Sequence, residues 1–186
     1  MIVLGIDPGF ASIGWALVDT SAGRLLDLGV IRTKPGAARR KCDDNVTRCE
    51  EIASGLSELM SDHVVEYVGG RVGLVACEAQ SWTRNAGSDR GVAMAWGVIS
   101  TLAWLHRAPL VQITPQTVKH TLTGKRSASK TEIQTEVSAR LEGFAELLGG
   151  IRAKGQREHA SDAAAVALAS LKTDIGRVAL RASGRN

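Results

Sequence analysis

The chain has 186 residues, 44% of them hydrophobic and 23% charged, with a formal charge of +4. That length fits one domain of about 100–200 residues, and a mean hydropathy of -0.01 excludes both a disordered chain and a membrane-embedded one. The longest apolar stretch, Gly91 to Leu105, is broken by Ser100 and Thr101 and falls short of the roughly 20 residues that cross a bilayer.

Met1 runs straight into β-branched apolar residues without a basic leader, so the expected location is cytoplasmic, with no membrane partner. Cys42, Cys49 and Cys77 are odd in number and form no Cys-x-x-Cys pair, which argues against a disulfide framework and a zinc ribbon; ordinary buried thiols are expected. Basic residues concentrate in loop-like stretches: Arg39-Arg40-Lys41, then Lys119, Lys125, Arg126 and Lys130, then Arg152, Lys154 and Arg157, and finally Arg177, Arg181 and Arg185. Each alone suits a solvated surface, but the clustering and a pI near 9.2 favour a surface that tracks phosphates.

In chain order, IVLGI (2–6) and SIGWALVD (12–19) read as strands joined by a turn at Pro8-Gly9, and 24–33 as a third after Gly23. Helical spacing follows from Val46 to Leu59, with Asp44 or Asn45 as the N-cap. GLVAC (73–77) is a short buried strand ending on Glu78, and the polar loop AQSWTRNAGSD leads into a helix over Arg90 to His106. There Val92, Met94, Trp96, Val98, Ile99, Leu102, Trp104 and Leu105 wrap most of the circumference, a pattern that demands burial. Leu110 to Ile113 is a further strand and Thr114-Pro115 starts a short helix. Ser129 or Thr131 starts another helix that runs to about Glu146. After the loop GGIRAKGQR, an Ala-rich helix covers Glu158 to Leu171. A three-strand meander followed by alternating helices and strands predicts an α/β fold, a mixed sheet with helices on both faces. It is expected to span residues 1–174, with 175–186 as a basic C-terminal tail.

Asp7 and Glu78 each end an apolar strand. If those strands are adjacent and parallel, both carboxylates leave the same end of the sheet, where open α/β sheets bind ligands. Asp162 lies in the Ala-rich helix, with Glu158 and His159 four and three residues before it, so either can share its face. Singly, these are a turn-former, a strand-end charge and an early-helix anion. Together they would repel one another unless a cation sat between them, and hard oxygen donors suit Mg²⁺ or Mn²⁺.

GIDPGFASIGWALVD, VACEAQ, TPQTVKHTLTGKRSASKTEIQTEV and HASDAAAVALA, in that order and over nearly the whole chain, resemble a RuvC-type Holliday-junction resolvase of the ribonuclease H-like superfamily. The resemblance implies that Asp7, Glu78, His159 and Asp162 bind metal, two Mg²⁺ ions per site with Mn²⁺ as a substitute. It matches Lys119 and Lys130 to lysines that neutralise the scissile-strand phosphates, and Asn85 and Arg90-Gly91 to the segment after the second acid. One ion would activate water and the other would stabilise the leaving 3′-oxygen, giving nicks with 5′-phosphate and 3′-hydroxyl ends. The implied activity is a structure-selective endodeoxyribonuclease that resolves a four-way DNA junction by paired nicks. Two nicks need a homodimer, for which the all-round apolar helix is the interface.

Trp82, Arg84, Asn85, Arg90, Lys125 and Arg126 are the candidates for touching DNA. Where the family commonly has Phe, the chain has Ser81, and the aromatic is Trp82; where many members have Asp, it has His159. The stretches 61–73 and 143–157 look longer than in cellular forms, so a phage-encoded member fits, and a branch-migration helicase is an open partner. The alternatives are a nuclease for RNA–DNA hybrids or other branched DNA, and a non-catalytic junction-binding protein.

Overall fold

The computed structural model describes residues 1–36, 40–61, 71–79 and 86–184, the side chains of 86–88 excepted. The expected meander forms from β1 (Ile2–Asp7), β2 (Ser12–Asp19) and β3 (Arg24–Arg32), paired antiparallel. β4 (Val72–Glu78) and β5 (Leu110–Ile113) add in parallel on the other side of β1, giving the order β3-β2-β1-β4-β5.

Alternation along each strand divides the core in two. Ile2, Leu4, Ile6, Ile13, Leu17, Val75 and Cys77 face one side, covered by Ile52 and Leu56 of α1 (Lys41–Leu59) and by Ala95, Ile99 and Ala103 of α2 (Ala86–Leu105). Val3, Ala16, Val18, Leu74 and Ala76 face the other. That side carries α3 (Pro115–Thr123), α4 (Lys130–Arg140), α5 (Phe144–Gly150) and α6 (Lys154–Ser170). Of the residues expected as a tail, 175–183 are helical, within α7 (Asp174–Ser183), capped by Thr173. Among the described residues no helix is long and apolar enough to cross a membrane.

Five expectations need correction. α1 begins at Lys41 with Arg40 as N-cap, so Asp44 is inside the helix. Its carboxylate accepts the Gly36 N–H at 2.6 Å, and with Asp43 it favours the first turn through the helix dipole. The helix expected through Glu146 stops at Arg140: Gly143 adopts φ +83°, and Glu142 docks on the start of β3, its N–H bonding Gly23 O and its carbonyl accepting the Leu25 N–H, both at 3.0 Å. α6 starts at Lys154, four residues early, which puts Asp162 more than two turns inside it and removes its early-helix reading. Of the three free thiols only Cys77 is buried; Cys42 is exposed. α2 also starts early, at Ala86, and buries one face, while Trp104 and Leu105 stay exposed at 75% and 59%.

Candidate active site

The register Ile6↔Cys77 of the parallel pair β1 and β4 makes their final residues, Asp7 and Glu78, level neighbours. Both fall on the α6 side, since Val3 and Leu74 already point there and side chains alternate. The conditional geometry expected from sequence is therefore met.

α6 supplies the rest, and small residues let it come close enough. A Cβ at Gly14 would collide with the backbone carbonyl of His159; one at Gly5 would collide with the carbonyl of Ala163 and lie 2.8 Å from Ala167 Cβ. Ala160, Ala163, Ala164 and Ala167 are fully buried against the sheet. Bare backbone on two strands and methyl groups on the helix set a short helix-to-sheet distance. Gly14 is paired with Asp7 across β1 and β2, so the close approach lies beside the first carboxylate. His159 Nδ1 reaches Asp7 Oδ2 at 2.6 Å. An ionised carboxylate only accepts, so Nδ1 carries the proton and Nε2 is the nitrogen left for a cation or a proton.

Spacing alone left Glu158 and His159 equivalent; the structure separates them. Glu158 turns to Lys130, with Oε2 accepting from Nζ at 3.0 Å, and Lys130 also reaches Asp162 Oδ2 at 3.4 Å. A cavity of about 290 Å³ opens between Glu78, Asp162, Lys119 and Lys130, floored by Val118 and Ile133. α4, which carries Lys130, is fixed at its start by a capping box in which Ser129 and Glu132 bond each other's backbone N–H groups. α3, which carries Lys119, is started by Thr114 accepting from the Thr117 N–H at 3.2 Å.

The electrostatics are those of a crowded anionic site. Burial first, then the charges of Asp7 and Asp162, pushes Glu78 up to about 7, against the opposing pull of Lys130 and Lys119. Burial raises Asp162 as well, with Asp7 adding to it and Lys130 opposing. The hydrogen bond to Asp7 raises His159, against the opposing effect of burial. Burial lowers Lys130, but its bond to Glu158 and the charge of Asp162 carry it above the usual lysine value. Among the described residues, no three His, Cys, Asp or Glu side chains are already gathered as an ion's ligand set. Asp7 is engaged by His159 and Asp162 by Lys130 instead. Three carboxylates and one imidazole still fit a hard divalent cation, which would relieve the repulsion that now raises Glu78.

Of the other candidates, Arg90, Lys125 and Arg126 are exposed, and Lys125 is paired with Glu132 at 3.2 Å. Trp82, Arg84 and Asn85, with Ser81, lie outside the described residues. Sequence reading missed two supports. Arg48 lies over the Phe10 ring at 4.1 Å and bonds Phe10 O and Thr33 Oγ1 at 3.1 and 2.8 Å, fastening the turn that follows Asp7. Glu158 fastens Lys130. Neither has a local signature, since both partners are far away in sequence.

A family model described as "Crossover junction endodeoxyribonuclease RuvC" matches residues 3–170. Curated relatives of that name include one from Prochlorococcus marinus, 36% identical over 143 residues, or 76% of this chain and 84% of the relative. Another, from Parasynechococcus marenigrum, is 33% identical over 170 residues, or 90% and 96% of the two chains. Among solved structures, Thermus thermophilus RuvC in complex with a Holliday junction substrate superimposes with a TM-score of 0.69 at 26% identity, covering 91% of this chain and 92% of that one.

Proposed function

The chain belongs to the RuvC family of crossover junction endodeoxyribonucleases, and on that premise we propose that it resolves four-way DNA junctions by metal-dependent nicking, at the pocket between β1, β4, α4 and α6. The observation that carries this reading is the convergence of Asp7 and Glu78, at the ends of adjacent parallel strands, with His159 and Asp162 of α6 on one pocket, a crowding that also pushes the Glu78 carboxyl up to about 7. Three carboxylates crowded into one pocket, countered only by His159 and the rim lysines, are a poor structural choice and a good cation cradle.

Asp7, Glu78, Asp162 and the Nε2 of His159 would hold the metal, two Mg²⁺ ions or Mn²⁺ in their place. Bound there, the ions supply an activated water and charge stabilisation of the leaving 3′-oxygen. The chain's own groups do the rest. Lys119 and Lys130 stand at the pocket rim, where their charges stabilise the scissile phosphate as negative charge builds on it, without having to titrate. Glu158 keeps Lys130 at that rim when Asp162 is turned to another partner. Arg90, Lys125 and Arg126 would track phosphates, and Trp82, Arg84 and Asn85 would meet the junction where its bases are least stacked.

Paired nicks on a near-twofold substrate call for two such sites, hence a C2 dimer. α2 suits the interface, because its outward row, including Ala93, Gly97, Ser100 and Thr101, is small enough for a second helix to approach closely, with exposed Trp104 at its end. The deciding experiment is a nicking assay on a synthetic four-way junction with Mg²⁺ and with chelator. Paired, Mg²⁺-dependent nicks in opposing strands are expected, with linear duplex and RNA–DNA hybrid left intact. Binding without cutting would return the chain to a junction-binding role.

A further inference from the structure

α4 turns both of its acids aside. Glu132 is held by Ser129 and Lys125, and Glu136 by Arg140 at 2.7 Å. What remains, Thr131, Gln134, Thr135 and Ser138, forms one uncharged hydrogen-bonding stripe at i, i+3, i+4 and i+7. The stripe borders an open groove of about 660 Å³ whose far wall includes Leu148 and Arg157. Thr131, Gln134, Leu148 and Arg157 also line an adjoining space of about 410 Å³ that adds Lys130, Lys154 and Glu158, so the two are one continuous channel. Its near end is Lys130, which also lines the cavity with Glu78 and Asp162.

The charge in this channel is lopsided. Lys154 and Arg157 are exposed, and neither forms an ion pair among the described residues. Glu158, the one acid lining it, is bonded to Lys130. From Thr131 to Ser138 the stripe runs about 10 Å at 1.5 Å per helical residue, about three steps of one duplex strand at roughly 3.4 Å of helix axis per phosphate.

We propose that this channel is a second backbone-binding site: it carries the sugar–phosphate chain of the cut strand away from the active site, with Lys154 and Arg157 on its phosphates and the α4 stripe on its non-bridging oxygens. The inference rests on the nuclease reading above. Its specific content is that two cations on the early turns of α6, outside the catalytic set, hold one particular stretch of the scissile strand. Phosphate contacts of this kind fix register and orientation rather than sequence.

The test is junction binding by the full chain, measured by anisotropy in chelator over a range of salt, for wild type, K154A/R157A and the charge-retaining K154R/R157K. The alanine pair should bind about tenfold more weakly, and the slope of log K against log salt should become shallower by about 0.7–0.9 for each phosphate that is no longer neutralised. K154R/R157K should restore both, which no folding defect would allow. In parallel, phosphates flanking the scissile one are replaced singly by neutral methylphosphonate. Wild type should lose affinity at the positions the channel holds, and the alanine pair should lose nothing further there. An unchanged slope and affinity in the alanine pair, beside a wild type that binds and nicks, overturns the channel alone; so does a full additional loss at every methylphosphonate. A wild type that neither binds nor nicks a junction overturns the nuclease reading and the channel with it.

Discussion

His159 Nδ1 and Asp7 Oδ2, 152 positions apart in sequence, meet at 2.6 Å. The contact orients the imidazole and puts His159, rather than Glu158, on the face that looks at the carboxylates. H159A should therefore lose about 10²-fold or more of junction cleavage, whereas E158A, which frees Lys130 but removes no ligand, should lose only a few-fold. H159D should keep substantial Mg²⁺-dependent activity with its pH profile moved toward acid, because a carboxylate needs no deprotonation near neutrality. Rates across pH 5–9 decide the matter. A dead E158A beside an active H159A would move the ligand by one residue.

A substitution at Asp7 tests binding and chemistry separately. D7N preserves the shape and turn-forming capacity of the side chain but removes its charge, so junction binding should persist while nicking is lost. Nicking within about tenfold of wild type would show that the charge at the end of β1 is not needed for the leaving-group chemistry.

The metal-free protein should have an unusual stability profile. Glu78 titrates at about 7 in the fold, against 4.5 for an unperturbed glutamate. Between those values the folded state holds a proton that the unfolded state has released, so stability falls as pH rises through the window. Asp162 and His159 are also raised and add slopes of the same sign. Thermal melts in chelator should show a midpoint that drops from about pH 4.5 to 7 and beyond. E78Q should flatten that drop and melt higher than wild type near pH 8, at about 2–4 °C for each kcal/mol relieved, while abolishing nicking. A flat wild-type profile would remove the electrostatic account of the site.

Much of this was legible in the sequence because it is local. Alternation gave the meander and both parallel strands to within a residue or so, and the strand-final positions of Asp7 and Glu78 could be read directly. What escaped was decided at a distance. Gly143 is an ordinary glycine in the sequence; it breaks a helix because Glu142 finds backbone partners on β3. The loop GGIRAKGQR reads as irregular from its glycines, yet Lys154 onward is helical because the Ala-rich run behind it is clamped on the sheet. The roles of Glu158 and Arg48 depend on Lys130 and Phe10, partners 28 and 38 residues away, which no spacing rule reaches. Spacing could narrow the proposed fourth ligand to two neighbours; the resemblance selects one, and the fold orients the same one toward Asp7.

The same clamp yields the sharpest structural prediction. Gly14 lies in mid-strand, where alanine is normally tolerated and even favoured over glycine on entropic grounds. Here a single methyl would run into the His159 carbonyl, and backbone on both sides has no rotamer with which to yield. G14A must therefore lift the start of α6 from β2, at a cost of about 1–3 kcal/mol or more by analogy with overpacked cores. The displacement falls on His159 and, one turn on, Asp162. Denaturant unfolding should show the stability loss, and nicking at saturating junction should fall by far more than the folded fraction does, because the pocket is misaligned even in folded molecules. G176A, whose Cβ would collide with the Ser170 carbonyl at the far end of α6, should destabilise comparably but spare more of the activity. Equal activity losses for the two at matched folded fractions would mean that Gly14 serves only to pack the helix and not to set the distance between His159 and Asp7.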